Sequence, residues 1–371
     1  MASRAGPLED MVAAPVALAS FRDAKVLITG HTGFKGTWLA MWLRQLGAKV
    51  HGFALPPEDG ETSLFRLVGA ENGLVSMIGD LRDREAVSAA FEKCSPDIVF
   101  HLAAQSLVRR SYQQPVETYA TNVMGTVHVL EAARTSLNLK AVVVVTSDKC
   151  YRNLEHHEGY REEDPMGGAD PYSSSKGCAE LVVDAYRRSF FSTEGAPLIA
   201  SARAGNVIGG GDWCEDRLVP DIARAIINGT PVIIRNPGAI RPWQHVLEPL
   251  RGYLLLGARL MDGDKEFAEG WNFGPDSGDA IPVGDLAKKM VAAWGKGTIA
   301  LQPPNSNALH EAGILMLNIE KARSGLGYRP ILDIDAAIRL STDWYSAAMD
   351  DPARAASLCA DQIHSYMEQI S

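Results

Sequence analysis

The sequence predicts an α/β protein built on a doubly wound parallel sheet, with a smaller mixed C-terminal lobe that binds substrate. Three observations lead to this fold class. Short β-branched runs alternate with helical stretches from residue 21 to residue 204, the order typical of parallel sheets with right-handed crossovers. A glycine-rich turn follows the first run, where such sheets bind dinucleotides. The alternation fades after Ala204, in a stretch rich in glycine and polar residues.

The strands of the first domain are predicted from short runs of apolar and β-branched residues. They are Lys25–Thr29, Ala48–Phe53, Leu74–Ile78, Asp97–His101, Lys140–Thr146 and Pro197–Ala202. The run KAVVVVT is almost uniformly apolar, as expected of a strand in the middle of a parallel sheet.

The helices are predicted from apolar residues that recur at every third or fourth position. In the first domain they are Thr37–Leu46, Arg84–Phe91, Asn122–Arg134 and Tyr172–Phe190. In the second lobe they include Leu218–Asn228 and Val283–Trp294.

The length of 371 residues is sufficient for about two domains. We expect residues 21–204 to form the sheet domain and residues 205–371 to form mainly the substrate lobe. The segments 243–248 and 270–274 are expected to return to the first domain. Residues 1–20 are interpreted as a loose extension rather than an export signal, because acidic residues precede a short, interrupted apolar stretch.

Composition excludes several classes of protein. Hydrophobic residues make up 46% of the chain and charged residues 22%, which excludes a disordered or coiled-coil chain. A net charge of −9 argues against nucleic acid as the main partner. No apolar run reaches the length of a membrane span, so we expect no membrane partner.

The cysteines and histidines do not form a metal-binding pattern. The five cysteines are far apart and include no C-x-x-C pair, which favours free thiols in a reducing compartment and a cytoplasmic location. The segment His156-His157-Glu158 is not interpreted as a metal site, because adjacent histidines face opposite ways and no third ligand has suitable spacing.

A glycine-rich turn between the first strand and the first helix predicts a dinucleotide site in a Rossmann sheet. Its glycines permit a tight turn and bring backbone N–H groups close to a pyrophosphate at the helix N-terminus. The residues assigned to cofactor binding in this turn are Gly30, His31, Thr32, Gly33, Phe34, Lys35 and Gly36.

The ends of later strands supply further cofactor candidates. Asp80 and Leu81 follow the third strand, where an acid can bond the adenine amine, although Asp80 is equally suited to cap a helix. Leu102, Ala103 and Ala104 follow the fourth strand, where small residues let a flat ring lie against the backbone.

The second strand carries neither an acid for the adenosine ribose nor an arginine for a 2′-phosphate. Glu58 or Asp59 is left open as an acid that folds back to the ribose. These observations favour NAD but do not decide between NAD and NADP.

Tyr172 and Lys176 are predicted to share one helix face, because they are four residues apart. A neighbouring ammonium favours the phenolate and is expected to lower the tyrosine pKa, so that Tyr172 can take a proton from a substrate alcohol. Ser147, at the end of the fifth strand, can bond the same oxygen. Asp148 and Lys149 follow it as a candidate general acid and a candidate proton acceptor.

These motifs resemble those of the nucleotide-sugar 4,6-dehydratases in the extended short-chain dehydrogenase/reductase family. The resemblance covers roughly residues 21–345. Its most specific pieces are Gly30–Gly36, Thr146-Ser-Asp-Lys-Cys-Tyr151, Gly205–Trp213, Asp216–Asp221 and Arg241-Pro-Trp-Gln-His-Val246. Lys149 stands where most of these dehydratases have a glutamate, and the branch that acts on CDP-glucose shares this departure.

The resemblance implies three chemical steps on CDP-glucose with NAD as cofactor. The C4 alcohol is oxidised with Tyr172 as base, assisted by Lys176 and Ser147. Water is then lost across C5 and C6, with Asp148 as acid, and hydride returns to C6. The C5 base is assigned to Lys149, although a lysine can act as a base only if its pKa is lowered.

The resemblance also implies a set of substrate contacts and an oligomer. The substrate candidates are Gln105, Ser106, Asn206, Trp213, Arg217, Arg241 and His245. Asn206 and the arginines suit a pyrophosphate or ribose, since a guanidinium offers paired donors to oxyanions. The helices Asn122–Arg134 and Tyr172–Phe190 correspond to the family's dimer helices, so a homodimer or tetramer is expected.

Two other functions are weighed against the dehydratase. A nucleotide-sugar 4-epimerase or simple oxidoreductase would use the same scaffold, but it expels no hydroxyl and does not need the acid Asp148. A non-catalytic dinucleotide sensor often lacks the tyrosine or the lysine, whereas this chain has both.

Overall fold

The computed structural model describes residues 16–57, 63–155, 157–302 and 313–370. Within the segment expected to be a loose extension, residues 1–15 lie outside the described residues. The expectation is wrong for the rest of that segment, since Val16–Phe21 forms a 3-10 helix in which Leu18 and Phe21 are buried. Burial of these two side chains against the core holds the helix in place.

The central sheet is parallel, and seven of the described strands form it. In chain order they are β1 (Lys25–Thr29), β2 (Lys49–Ala54), β3 (Val75–Ile78), β4 (Ile98–His101), β5 (Ala141–Val145), β6 (Leu198–Ala204) and, later, β11 (Gly270–Phe273). Their order across the sheet is β11-β6-β5-β4-β1-β2-β3. The order reverses between β1 and β4, which makes the carboxyl ends of these two strands the switch point where ligands bind in such sheets.

Shorter strands pair outside this sheet. They are β7 (Val207–Ile208), β8 (Val232–Ile234), β9 (Ile240–Pro242), β10 (Gln244–His245), β12 (Ala280–Pro282) and β13 (Ile299–Leu301). Parallel pairs join β7 to β10 and β8 to β13, and an antiparallel pair joins β9 to β12.

The helices lie on both faces of the sheet and in the second lobe. Up to β6 they are α1 (Phe34–Gln45), α2 (Leu64–Leu67), α3 (Arg84–Cys94), α4 (Val108–Gln113), α5 (Pro115–Tyr119), α6 (Gly125–Thr135) and α7 (Pro171–Phe190). After β6 they are α8 (Leu218–Ile227), α9 (Leu247–Met261), α10 (Val283–Trp294), α11 (Glu320–Leu326), α12 (Ile334–Asp350) and α13 (Ala355–Ile370). No helix among the described residues is long and apolar enough to cross a membrane.

The core lies on the two faces of the central sheet, because side chains alternate along each strand. In β1, Val26 and Ile28 face α1 and α9, where Trp38 is fully buried. Leu27 faces the opposite side, against residues of α3, α6 and α7. Burial of both faces explains the nearly continuous apolar sequence of the central strands.

The two segments expected to return to the first domain differ in their pairing. β11, within segment 270–274, pairs in parallel with β6 and forms one edge of the central sheet. Segment 243–248 contains β10, which pairs with β7 outside that sheet, and the start of α9, which packs against β5 and β6.

Candidate active site

An open cavity of about 1700 Å³ lies at the carboxyl ends of the central strands. Its wall is formed partly by the glycine turn after β1 and by the loops after β4 and β5. The second lobe closes the other side with residues around Asn206, Arg217 and Arg241. This cavity is large enough for a dinucleotide and a nucleotide sugar together.

The glycine turn packs so closely against neighbouring backbone that a side chain would not fit at two of its glycines. Gly30 has a φ of 81°, and a Cβ there would lie 2.7 Å from the nitrogen of Ala103. A Cβ at Gly36 would collide with the carbonyl oxygen of Gly30. Gly33 is the N-cap residue of α1. Because a glycine has no side chain, it makes no capping hydrogen bond to the first N–H groups of the helix. These residues fit a dinucleotide pyrophosphate.

His31 does not line this cavity, although the motif had assigned it to the cofactor. Its ring is fully buried, hydrogen-bonded through Nε2 to the Ser76 hydroxyl at 2.7 Å and edge-on to Phe65. Burial lowers its pKa to about 4, so the ring is neutral at pH 7. The motif places the backbone of His31 in the turn but does not indicate which way the side chain points.

Leu55, Pro56, Asp80 and Leu81 line the part of the cavity where the sequence predicts adenosine. Asp80 accepts bonds from both the backbone and the guanidinium of Arg82, including 2.9 Å between Oδ2 and Nε. This pairing lowers the pKa of Asp80 and uses much of its acceptor capacity. Glu58 and Asp59, left open as ribose partners, lie outside the described residues.

Ser147 and Asp148 begin a 3-10 turn directly after β5. The Ser147 hydroxyl donates to Asp148 Oδ1 at 2.8 Å, while Oδ2 is buried without a hydrogen-bond partner among the described residues. Burial raises the pKa of Asp148, against the opposing influence of Lys149, Ser147, Arg241 and Lys35. A carboxyl with a raised pKa is suited to act as a general acid.

Tyr172 and Lys176 both face the cavity from the first turns of α7, but the expected lowering of the tyrosine pKa is wrong. Burial raises the pKa of Tyr172 to about 12, and a hydrogen bond with Ser147 opposes this only in part. The Lys176 Nζ donates a hydrogen bond to the Val145 carbonyl oxygen at 3.4 Å. Burial lowers the pKa of Lys176 to about 8. The protein by itself therefore does not make the phenol acidic.

Two further lysines lie at the same end of the cavity. Lys149 is half-buried beside Asp148 and lines the wall. Lys35 extends from the first turn of α1, with its Nζ 6.0 Å from the centre of the Tyr253 ring. Burial, together with the positive charges of Arg217 and Lys176, lowers the pKa of Lys35 to about 8.

Most of the predicted substrate residues line the cavity. Arg217 bonds Asp212 Oδ2 at 2.9 Å and the Ser106 hydroxyl at 2.9 Å, so it links the second lobe to the loop after β4. Arg241 donates to the carbonyl oxygens of Ile240 and Gly313, and Trp213 packs edge-on against Tyr345.

Two substrate candidates have side chains that are already engaged elsewhere. Gln105 lines the cavity, but its amide bonds Thr118 and the backbone of Leu107. His245 is a correction: its ring is fully buried against Trp38, outside the cavity wall, and burial lowers its pKa to about 3.

Sequence reasoning missed a charged cluster on the cavity wall. Asp216 forms ion pairs with Arg109 at 3.3 Å and with Arg235 at 3.1 Å. These arginines come from α4 and from the segment after β8, and no spacing pattern connects them. Among the described residues, no group of three or more histidine, cysteine or acidic side chains could hold a metal ion, and His156 lies outside those residues.

The sheet topology, the glycine turn and the Ser147, Tyr172 and Lys176 constellation define an extended short-chain dehydrogenase/reductase. A family model described as GDP-mannose 4,6 dehydratase matches residues 27–340. The chain belongs to this family of nucleotide-sugar 4,6-dehydratases. The family and the fold class predicted from the sequence are both confirmed.

Individual relatives place the chain more finely within the family. It is 52% identical over 333 residues to a CDP-glucose 4,6-dehydratase of Salmonella typhimurium, and the match covers 88% of this chain and 92% of that protein.

An epimerase from Methanothermobacter thermautotrophicus has a similar fold, with a TM-score of 0.79, 22% identity and coverage of 92% of this chain and 97% of that chain.

A solved dehydratase that contains NAD has a similar fold. The dTDP-glucose 4,6-dehydratase of Bacillus anthracis, in complex with NAD, matches with a TM-score of 0.74 and 20% identity. The match covers 88% of this chain and 97% of that chain.

Proposed function

We propose that this protein converts CDP-D-glucose to CDP-4-dehydro-6-deoxy-D-glucose and water. The observation that carries the proposal is Asp148, a buried carboxyl with a raised pKa that lies beside Ser147 and Tyr172 in one cavity. The choice of CDP-glucose is supported by 52% identity to the Salmonella enzyme of that name.

NAD is the proposed cofactor, held by the glycine turn and by Leu102, Ala103 and Ala104. The close backbone approach at Gly30 and the uncapped start of α1 at Gly33 support this assignment. When bound, NAD would accept the C4 hydride and later return it to C6, so that no net oxidation occurs. Its positive charge would also favour the phenolate of Tyr172, which the protein alone does not.

Tyr172, Ser147 and Lys176 serve the oxidation. Tyr172 takes the proton from the C4 hydroxyl as hydride leaves C4, and the Ser147 hydroxyl bonds the same oxygen. Lys176, on the same face of α7, supports the phenolate with its positive charge.

Asp148 and Lys149 serve the elimination. The 4-ketone acidifies the C5 hydrogen, and Lys149 accepts that proton. The C6–O bond breaks as Asp148 donates a proton to the leaving hydroxyl, which departs as water. The product forms when hydride adds to C6 and a proton returns to C5.

Substrate phosphates are assigned to Arg217 and Arg241, with Asn206, Ser106 and Trp213 beside them. Both arginines line the cavity, and each has its guanidinium held by protein acceptors. Such fixed guanidiniums suit a diphosphate.

The same geometry distinguishes the proposal from a 4-epimerase, the alternative that the fold equally permits. An epimerase returns hydride to C4 and expels nothing, so it has no use for a buried acid that faces the reacting carbons. A non-catalytic sensor is disfavoured by the complete set of Ser147, Tyr172 and Lys176.

The proposed enzyme acts in the cytoplasm as a homo-oligomer. Free cysteines support a reducing compartment: the described structure shows all five as thiols. Exposed apolar side chains on α5 and α7 support a dimer, with Val116 82% and Leu181 61% exposed.

The proposal is tested with the purified full chain, NAD and four substrates in parallel: CDP-glucose, dTDP-glucose, UDP-glucose and GDP-mannose. We expect CDP-glucose to lose one water, seen by mass, and to give a 4-keto product that absorbs in alkali, without net formation of NADH. Turnover of another sugar but not CDP-glucose would overturn the substrate assignment. Formation of the C4 epimer with unchanged mass would overturn the dehydratase assignment.

A further inference from the structure

A buried ion pair joins the helix of Tyr172 and Lys176 to the neighbouring strand. Glu180 lies on α7, four residues after Lys176, and is 4% exposed. Its Oε2 accepts from Arg203 Nη2 at 2.8 Å and from the Ser201 hydroxyl at 2.7 Å, both on β6. Arg203 is also buried, at 5% exposure.

The same pair contacts the two residues that flank the turn Ser147–Cys150, which carries the candidate catalytic residues. At its start, Thr146 donates its hydroxyl to Glu180 Oε1 at 2.5 Å. At its end, Arg203 Nη1 donates to the Tyr151 hydroxyl at 2.6 Å, and the guanidinium lies 5.1 Å above the Tyr151 ring. Between these two fixed residues the chain carries only Ser147, Asp148, Lys149 and Cys150.

The far end of the turn is anchored further. The Tyr151 hydroxyl donates to Asn272 Oδ1 at 2.8 Å, and its ring stacks on Tyr160. Arg203 also donates to the Glu162 carbonyl at 3.1 Å. Because most of these partners are buried, a shift of the ion pair would leave unpaired polar groups in the interior and would move the turn with it.

We propose that Glu180 and Arg203 are a positioning pair for the reaction: they fix both ends of the Ser147–Cys150 turn and present a negative charge one helical turn from Lys176. This inference rests on the proposed function for its kinetic part. Neither residue lines the cavity, so neither is a catalytic residue.

The charge of Glu180 acts on Lys176 in a defined direction. Burial opposes ionisation of Glu180, but Arg203 and the hydroxyl donors outweigh it, so the pKa of Glu180 is lowered and the group is an anion. Burial lowers the pKa of Lys176 to about 8, and the Glu180 charge is the largest influence that opposes this. Without that charge, the pKa of Lys176 falls further.

Other groups face Lys176 from each neighbouring element. Cys150 lies on the turn, His101 on β4, Lys35 on α1 and Tyr172 on α7 itself. The thiol of Cys150 has a pKa well above its usual range, and burial lowers that of His101 to about 3, so both are neutral at pH 7. Glu180 is therefore an anion that stabilises the ammonium form of Lys176.

The test compares Glu180→Gln, the double variant Glu180→Gln/Arg203→Met and the control Asp184→Asn. Asp184 lies one turn further along α7, and its side chain is 39% exposed. The double variant removes both buried charges together, which protects against unfolding caused by a lone buried cation. All variants are first compared with wild type by thermal unfolding.

Hydrogen exchange measured by mass spectrometry reports on the turn without any need for activity. We expect amides 147–151 to exchange at least tenfold faster in both Glu180 variants and at the wild-type rate in Asp184→Asn. Wild-type exchange in the folded double variant would overturn the positioning role.

The pH profile of kcat tests whether the negative charge of Glu180 keeps Lys176 in its ammonium form. Activity needs the ammonium form of Lys176, so it is lost as pH rises through the pKa of that group. When the Glu180 charge is removed, the pKa of Lys176 falls and the loss of activity occurs at lower pH. We therefore expect kcat at about pH 8.5 to fall about tenfold more than kcat at about pH 6.5. An equal fall at both pH values would overturn the charge role.

The two proposals fail in distinguishable ways. If wild-type protein leaves CDP-glucose unchanged but the exchange result holds, the positioning pair stands and the proposed function falls. If wild type is active and both Glu180 variants match it in exchange and in pH profile, the positioning pair falls.

Discussion

At the scale of single residues, Asp148 shows how a functional group opposes stability. Its carboxyl is almost fully buried, and one of its oxygens has no hydrogen-bond partner among the described residues. Ionisation is therefore harder in the folded protein than in the unfolded chain, which raises the pKa. Because the folded pKa is raised, the contribution of Asp148 to stability is largest below the ordinary pKa of an aspartate and is lost as pH rises through the folded value.

Replacement of Asp148 by asparagine is expected to separate the chemical steps and to stabilise the fold. The amide cannot supply the proton for the leaving hydroxyl, so dehydration falls at least 100-fold while C4 oxidation continues. Absorbance of bound reduced cofactor should accumulate after CDP-glucose is added. The melting temperature should rise by about 2 °C at pH 7, because the cost of a buried charge is removed.

The control for this prediction is Asp184→Asn, which removes a carboxylate whose side chain is 39% exposed. The stability gain of Asp148→Asn should vanish below about pH 3, where an aspartate is protonated in both the folded and the unfolded state. Full dehydration by the variant, or the same gain at both pH values, would contradict the role of Asp148.

At the scale of elements, the strands and helices were predictable and many side-chain directions were not. Periodicity gave β1 at its observed bounds and placed α7 within one residue of its start, because buried faces fix the pattern of apolar residues. Motif spacing places a residue on a loop but says nothing of which side it faces. His31 and His245 therefore belong to the interior even though their neighbours line the site.

Tertiary contacts also explain two features that differ from the prediction made from local sequence. The expected helix from Asn122 begins instead with a π-helical turn over Ala120–Met124. There Asn122 bonds the backbone of Gln105 and the Ser175 hydroxyl, contacts between distant segments that no local pattern contains. The raised pKa of Tyr172 has a similar origin, since burial outweighs the charge that helical spacing implies.

The turn between β1 and α1 makes a prediction at this scale. In Gly36→Ala, the added methyl group would collide with the carbonyl oxygen of Gly30, so the first turn of α1 and the glycine turn must move apart. We expect the Kd for NAD, measured by calorimetry, to rise at least tenfold, with a loss of stability of about 2 kcal/mol. Gly238→Ala is the matched control, because a Cβ there meets nothing within 4 Å. Equal affinity in the two variants would show that this turn does not hold the cofactor.

At the scale of the whole molecule, apolar side chains are exposed on one group of packed helices. Val116 on α5, Met124 on the π-helical turn, and Leu181 and Phe190 on α7 are all between 46% and 82% exposed. α5 and the π-helical turn both pack against α7, so these residues lie on one side of the sheet domain. Clustered exposed apolar residues mark an interaction surface, whereas scattered ones need no explanation.

We expect this surface to join two copies of the chain. Sedimentation of the wild-type protein should give the mass of a dimer or of a tetramer built from dimers. The double variant Val116→Glu/Leu181→Glu places charges where apolar groups meet, so it should sediment as a smaller species at micromolar concentration. Leu137→Glu is the control, because Leu137 is 99% exposed on the loop after α6 and its replacement should leave the assembly unchanged. A wild-type monomer, or a double variant that keeps the wild-type mass, would rule out this face as the interface.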